Sequence, residues 1–127
     1  MNPIPPVVDL GLADVLAARA RIHDRVRPPP LVPGPALSAL AGAEVRLKVE
    51  CWQDTGSFKL RGASNRLAVL AAGGAVPGVV TVSTGNHGRA VAVAAARLGI
   101  RAVVVVSALV PEVKLAAIRA AGAEVVV

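Results

Sequence analysis

The chain has 127 residues, of which 54% are hydrophobic, and its formal net charge is +6. This hydrophobic content excludes a disordered tail, and the length suits one small domain. Eleven arginines and three lysines outnumber eight acidic residues, but aromatic side chains that could stack on bases make up only 2% of the chain. We therefore interpret the basic charge as solvated arginines and expect no nucleic-acid partner.

The single cysteine and the distribution of apolar residues along the chain indicate a cellular compartment. Cys51 is the single cysteine, which excludes an internal disulfide and favours a reducing compartment. We interpret Cys51 as a small buried hydrophobic residue. The N-terminal residues lack a signal-peptide pattern, and glycines and a proline interrupt the uncharged stretch 67–88. We expect a cytoplasmic protein with no membrane partner.

Apolar periodicity predicts helices that alternate with strands. The proline cluster 28–30 ends the first helix, and residues 44–50 alternate between polar and apolar as in a strand. Continuously apolar strands between helices predict an α/β fold with an open parallel sheet covered by helices on both faces. The last predicted strand, which starts at Glu124, is an edge that further chain would cover, so we expect a truncated fragment. The predicted helices are 10–26, 36–40, 58–72, 87–98 and 111–121, and the predicted strands are 44–50, 79–82, 102–106 and 124–127.

A lysine lies at the start of one predicted helix, directly after a Gly-Ser turn. Residues 55–63 read Thr-Gly-Ser-Phe-Lys-Leu-Arg-Gly-Ala. A lysine that attacks a carbonyl must lose its proton and be held in place, and a partly buried helix start can supply both conditions. Lys59 is one of only three lysines in a chain that otherwise uses arginine, which stays protonated. The alternative is a surface lysine on an amphipathic helix.

A small polar loop, residues 83–88, joins a valine-rich strand to an apolar helix and reads Ser-Thr-Gly-Asn-His-Gly. At such a corner, backbone N–H groups and the positive end of the helix dipole point toward an anion. Ser83 and Thr84 add hydroxyl groups, Gly85 allows close approach of the backbone, and Asn86 offers an amide. The alternative is an ordinary helix N-cap. The spacing does not fit the dinucleotide or nucleotide-triphosphate motifs.

His87, by itself, is typical of a structural histidine rather than of a base. No second histidine, cysteine or aspartate lies at ligand spacing from it. We expect no metal site.

Together these segments resemble the fold-type II pyridoxal-phosphate enzymes, in the branch of threonine and serine dehydratases and serine racemase. The likeness runs from Arg19 to the end of the chain. Within the branch, the amino-acid sequences of segments 83–90 and 107–111 are most similar to those of the hydroxyectoine-utilisation dehydratases. The matching segments are 47–50, Gln53, 55–63, Asn65, 83–88, 98–100 and 110–125.

The resemblance implies a chemistry and a set of site residues. Lys59 would hold pyridoxal phosphate as a Schiff base and move the α-proton, Phe58 would pack beside the cofactor, and Asn86 would bond its ring hydroxyl oxygen. The implied reaction is β-elimination from a β-hydroxy amino acid such as threonine or serine, which gives a 2-oxo acid and ammonia. The implied substrate-carboxylate site consists of Ser83, Thr84, Gly85, Asn86 and His87.

The family's domain plan implies that residues 1–73 begin a large cofactor domain and that residues 74–127 form part of a small α/β domain. The family's phosphate loop corresponds to sequence beyond residue 127. We therefore expect this chain alone to bind the cofactor weakly and to be inactive, and a full-length protein to form a homo-oligomer. The branch usually has a threonine directly before the proline at position 30, and here that position is Pro29.

Three alternatives stay open. In racemases of the branch a serine that acts as a base occupies the place of Thr84, so racemisation is disfavoured here without being excluded. The chain could be an inactive fragment that associates with a related subunit. It could also be a basic binding module.

Overall fold

The computed structural model describes residues 9–127, which form five α-helices and five short strands. A 3₁₀ turn at Glu50–Trp52 precedes the third helix. In chain order the elements are α1 (Leu12–Ile22), β1 (Leu31–Pro33), α2 (Pro35–Ala41), β2 (Arg46–Lys48), α3 (Lys59–Ala72), β3 (Val79–Val82), α4 (Asn86–Arg97), β4 (Ala102–Val105), α5 (Glu112–Ala120) and β5 (Glu124–Val126).

The C-terminal half is a parallel sheet in the order β3-β4-β5. Helix α4 connects β3 to β4, and α5 connects β4 to β5. The two helices contact each other as well as the strands, because two crossovers of the same hand in one direction place both helices on one face. The predicted α/β class and open parallel sheet are confirmed.

The other face of this sheet carries a row of valines. Val80 is 71% exposed and Val82 is 77% exposed, and across the register they neighbour half-buried Val103 and Val105. Within residues 9–127, therefore, α4 and α5 cover one face of the sheet and the valine face stays open.

The N-terminal half contains an antiparallel pair that the sequence predicted only in part. Strand β1 pairs with β2, so that Val32 lies opposite Leu47. Prolines on both sides of Val32 hide β1 from a periodicity analysis, yet an outer strand tolerates them. The predicted strand 44–50 is shorter in the structure, because a 3₁₀ turn begins at Glu50.

Helix α4 lies at the centre of the core. Its buried residues include Ala90, Ala94 and Ala95, whose small side chains allow α3 and β4 to approach closely. Gly88 permits the closest approach, since a Cβ there would lie 2.9 Å from Val104 Cγ1. From α3, the core receives Leu60, which is completely buried.

The prediction that Cys51 is buried is wrong. Cys51 is exposed on the 3₁₀ turn Glu50–Trp52. Helix α1 packs against α3 through its C-terminal end, where Ile22 is buried, whereas Leu12 and Val15 of its apolar stripe remain 73% and 60% exposed. None of the helices in the described part of the chain is long and apolar enough to cross a membrane.

Candidate active site

The loop that leads into α3 is polar in sequence but buried in the structure. Gln53, Thr55 and Ser57 are exposed by only 4%, 1% and 8%. Gly56 between them has a φ of +72°, a left-handed conformation that favours glycine, so the Gly-Ser turn has a backbone reason. Because alternate residues point inward, this loop is packed in place up to Ser57, which is followed by exposed Phe58.

Long-range hydrogen bonds anchor the same loop. Gln53 Nε2 donates to the carbonyl oxygen of Arg27 at 2.8 Å and to Glu50 Oε2 at 3.2 Å. Glu50 Oε1 in turn accepts from Arg61 Nε at 2.9 Å. The carboxylate of Glu50 thus connects the 3₁₀ turn to the first turn of α3, the turn that carries Lys59.

Lys59 is the first residue of α3, and its side chain is exposed. The burial at this helix start lies in the preceding loop and in Leu60, and the lysine side chain itself faces solvent. Nζ of Lys59 lies 5.2 Å from the centroid of the Phe58 ring, within the range of a cation–π interaction. Phe58 is itself 60% exposed. The amine is reachable from solvent on a helix start whose backbone is fixed.

Lys59 and His87 line the same cavity, which has a volume of about 550 Å³ and lies between α3 and β3. Phe58 contributes to its rim, and apolar residues of both elements form its walls. The structure thus brings together the predicted lysine, its neighbouring aromatic ring and one residue of the predicted carboxylate loop.

Sequence reasoning missed the cationic lining of this cavity, which includes Arg61 and Arg66. Helical spacing from Lys59 was the available signal for Arg66, because positions 59 and 66 lie on one side of an α-helix. Arg61 is two residues after Lys59, so this spacing does not single it out.

The 83–88 loop is held by local hydrogen bonds. Ser83 Oγ accepts from the backbone N–H of Gly88 at 2.9 Å and from that of Gly85 at 3.3 Å. The Ser83 hydroxyl thus accepts from a first-turn amide of α4, although the N-cap residue itself is Gly85. Thr84 and His87 are exposed.

Asn86 lines a different cavity, of about 250 Å³, between the N-terminus of α4 and α5. Gly85, Arg89 and Lys114 line it too. The resemblance implies that Lys59 and Asn86 contact one cofactor, whereas here they border separate cavities at the start of α4. The role assigned to Asn86, like those of the other site residues, stays a prediction.

Potential metal ligands do not cluster in the described residues. In the part of the chain that the structure describes, no group of three or more histidine, cysteine, aspartate or glutamate side chains could hold a metal ion.

Comparison with known proteins places this geometry in a family context. Residues 22–127 match the family model described as pyridoxal-phosphate dependent enzyme. A putative threonine dehydratase of Sinorhizobium fredii is 46% identical over 117 residues, which are 92% of this chain and 35% of the relative. Serine racemase of Rattus norvegicus is 41% identical over 120 residues, or 92% of this chain and 36% of the relative.

Solved structures agree. The crystal structure of serine racemase from Dictyostelium discoideum superposes with a TM-score of 0.85 at 39% identity, covering 92% of this chain and 38% of that chain. The predicted resemblance is confirmed. The chain spans about a third of the length of the curated relatives described above.

Proposed function

This chain belongs to the pyridoxal-phosphate dependent enzyme family, and from that premise we propose that it carries the lysine half of a dehydratase site. The proposed reaction removes the β-hydroxyl group and the amino group of a small amino acid such as threonine or serine. The observation that supports it most is the cavity shared by Lys59 and His87. The relative named as a putative threonine dehydratase, at 46% identity, supports the choice of reaction.

The chemistry of the residues present fits the family's cofactor. Lys59 offers a primary amine that solvent can reach, beside the apolar ring of Phe58. Arg66 adds positive charge to the same cavity, which suits an anionic ligand, while the charge of Arg61 is paired with Glu50. When bound, pyridoxal phosphate supplies an electron sink for the negative charge that develops at the α-carbon of the substrate.

In this proposal the chain's own residues bind, orient and move a proton. Lys59 Nζ would hold the cofactor and would accept the α-proton of the substrate, and that proton would leave with the β-hydroxyl group as water. The N–H groups of Asn86 and His87, in the first turn of α4, have no intrahelical acceptor and lie at the positive end of the helix dipole. They orient the carboxylate of the substrate.

In this scheme Ser83 contributes indirectly, through the backbone of the corner. Its hydroxyl accepts from the amides of Gly85 and Gly88, so it shapes the corner while the amides of Asn86 and His87 stay available. Thr84 presents an exposed side chain beside them.

Racemisation is the second candidate. It is favoured by the serine racemase relative at 41% identity and by the hydroxyl group that Thr84 retains. A hydroxyectoine-derived substrate, homo-oligomerisation, a cytoplasmic location and inactivity of the chain alone remain predictions. A turnover assay on threonine and serine that follows both 2-oxo acid and D-enantiomer would separate the two reactions.

The direct test is chemical trapping on the chain itself. Pyridoxal phosphate is added, its aldehyde carbon bonds to an amine with loss of water, and borohydride then delivers a hydride that makes the bond permanent. We expect peptide mapping to find the adduct chiefly on Lys59, with much less on Lys48 and Lys114. The Lys59→Arg variant keeps the positive charge and should lose the dominant adduct. An even distribution over the three lysines in the wild-type chain would contradict the proposal.

A further inference from the structure

Asp54, an exposed residue between buried Gln53 and Thr55, is held from α4 by two arginines. Arg97 Nη2 donates to Asp54 Oδ2 at 2.5 Å. Arg89 Nη2 donates to the backbone carbonyl oxygen of Asp54 at 3.3 Å. A Cβ built at Gly56 would lie 4.0 Å from Arg89 Nη1, so the Arg89 side chain also extends over the Gly-Ser turn.

The same contacts reach a third segment of the chain. Arg97 Nη1 donates to the carbonyl oxygen of Arg25 at 2.6 Å, and Arg27 Nε lies 3.6 Å from Asp54 Oδ1. The turn after α1, the loop before α3 and the helix α4 therefore meet at one carboxylate.

This junction connects the two halves of the proposed site. The loop that contains Asp54 ends at Lys59, and α4, which carries both arginines, begins at the 83–88 corner. Arg89 lies near the start of α4 and Arg97 is its last residue, so their contacts with Asp54 fix this regular helix, and with it its N-terminus, relative to the loop.

We propose that Asp54 and Arg97 are positioning residues that set the distance and orientation between Lys59 and the 83–88 corner. The inference rests on the proposed function, in which Lys59 carries the cofactor. It goes beyond that function because neither residue touches the cavity of Lys59.

An isolated ion pair at this exposure would do little. The side chains of Asp54 and Arg97 are 31% and 34% exposed, and such pairs are partly screened by water. Here, however, Arg97 also holds the Arg25 carbonyl oxygen and Asp54 also faces Arg27, and a network restricts geometry more than a single pair does. The effect we expect is therefore on alignment at Lys59 and much less on overall folding.

The experiment measures, in one sample, the trapped pyridoxal-phosphate adduct on Lys59 divided by that on Lys114. We expect Asp54→Asn and Arg97→Gln each to lower this ratio about threefold or more, because misplacing reacting groups reduces their effective concentration. Dividing by Lys114 corrects for the total amount of chain and for the labelling yield. Arg97→Lys keeps the charge beside Asp54 and should recover at least half of the wild-type ratio.

The control is Arg101→Gln, which removes an ion pair with Glu124 of 2.6 Å that joins the start of β4 to β5. It should leave the ratio unchanged. The adduct ratio of the double variant Asp54→Asn/Arg97→Gln should be no lower than that of the more affected single variant, because both changes break the same interaction. Equal ratios in wild type and both single variants, or a drop of the same size in Arg101→Gln, would overturn the inference.

A second readout keeps this inference separate from the proposed function. Amide hydrogen exchange of residues 55–60 should become faster in Asp54→Asn and Arg97→Gln, while exchange in β4 stays as in wild type. If trapping on the wild-type chain shows no preference for Lys59, the proposed function fails. The hydrogen-exchange data alone then test whether Asp54 and Arg97 hold residues 55–60 in place. Unchanged hydrogen exchange at residues 55–60 would then reject the positioning role of Asp54 and Arg97.

Discussion

Two segments of this chain were singled out by the same kind of sequence signal, a short run of small polar residues before a helix, yet they are held in place differently. The loop before α3 is positioned by distant partners: Gln53 reaches the carbonyl oxygen of Arg27, and Asp54 meets Arg97. The 83–88 corner is positioned by Ser83, whose hydroxyl bonds to amides within five residues of it.

The difference has a physical origin in packing. The first loop has helices and a strand pair around it, so its polar groups find partners across the fold and are buried with them. The second lies at the end of a parallel sheet, where the Ser83 N–H still donates to the Val105 carbonyl oxygen at 3.0 Å but the Ser83 hydroxyl finds only local partners. We therefore expect damage near Lys59 to spread through the fold and damage at the corner to remain local.

The largest expected effect comes from Leu60→Ala, which removes a completely buried side chain next to Lys59. Leucine-to-alanine changes at such sites cost about 2–5 kcal/mol, because they lose buried apolar surface and leave a cavity. Urea unfolding measures the loss. Leu40→Ala is the matched control, since Leu40 is 86% exposed and its truncation should change stability by less than about 0.5 kcal/mol. Similar losses in both variants would show that α3 is not anchored through Leu60.

Next in size is Gly88→Ala, which tests how closely α4 approaches the sheet. The new methyl group would lie 2.9 Å from Val104 Cγ1 and 3.2 Å from Ser83 Cβ, and overpacking of this kind costs about 1–3 kcal/mol. Gly62→Ala is the control within a helix, because a Cβ there meets nothing within 4 Å. We expect Gly62→Ala to stabilise the chain by about 0.5–1 kcal/mol through helix propensity, so thermal unfolding should move the two variants in opposite directions. A stabilised Gly88→Ala variant would contradict the close contact.

The C-terminal half of the fold was predictable from the sequence, and the N-terminal half was less so. From Val79 onward, apolar strands alternate with helices that glycines end, and each element occurs within about a turn of its predicted place. Strand β1 was missed because it lies between prolines, and its pairing with β2 depends on a contact across the chain that no local pattern reveals.

The candidate site divides in the same way. Motif spacing identified Lys59 and the 83–88 corner, since both depend on local chain geometry. It could not show that the cavity of Lys59 receives His87 while Asn86 borders another one, because that depends on how α4 packs. Nor could it show that Arg97 reaches Asp54, which is 43 residues away in sequence.

The smallest expected effect, and the sharpest test of local against distant anchoring, is Ser83→Ala. It removes the acceptor for the amides of Gly88 and Gly85, and loss of a capping hydroxyl costs about 0.5–2 kcal/mol. Hydrogen exchange should accelerate at these two amides while residues 55–60 keep their wild-type protection. Thr84→Ala, at the exposed neighbour, should change stability by less than about 0.5 kcal/mol. If Ser83→Ala loosened the 55–60 segment as much as its own corner, the two anchoring systems would be one, because α4 would be transmitting the loss from its first turn to the arginines that hold Asp54.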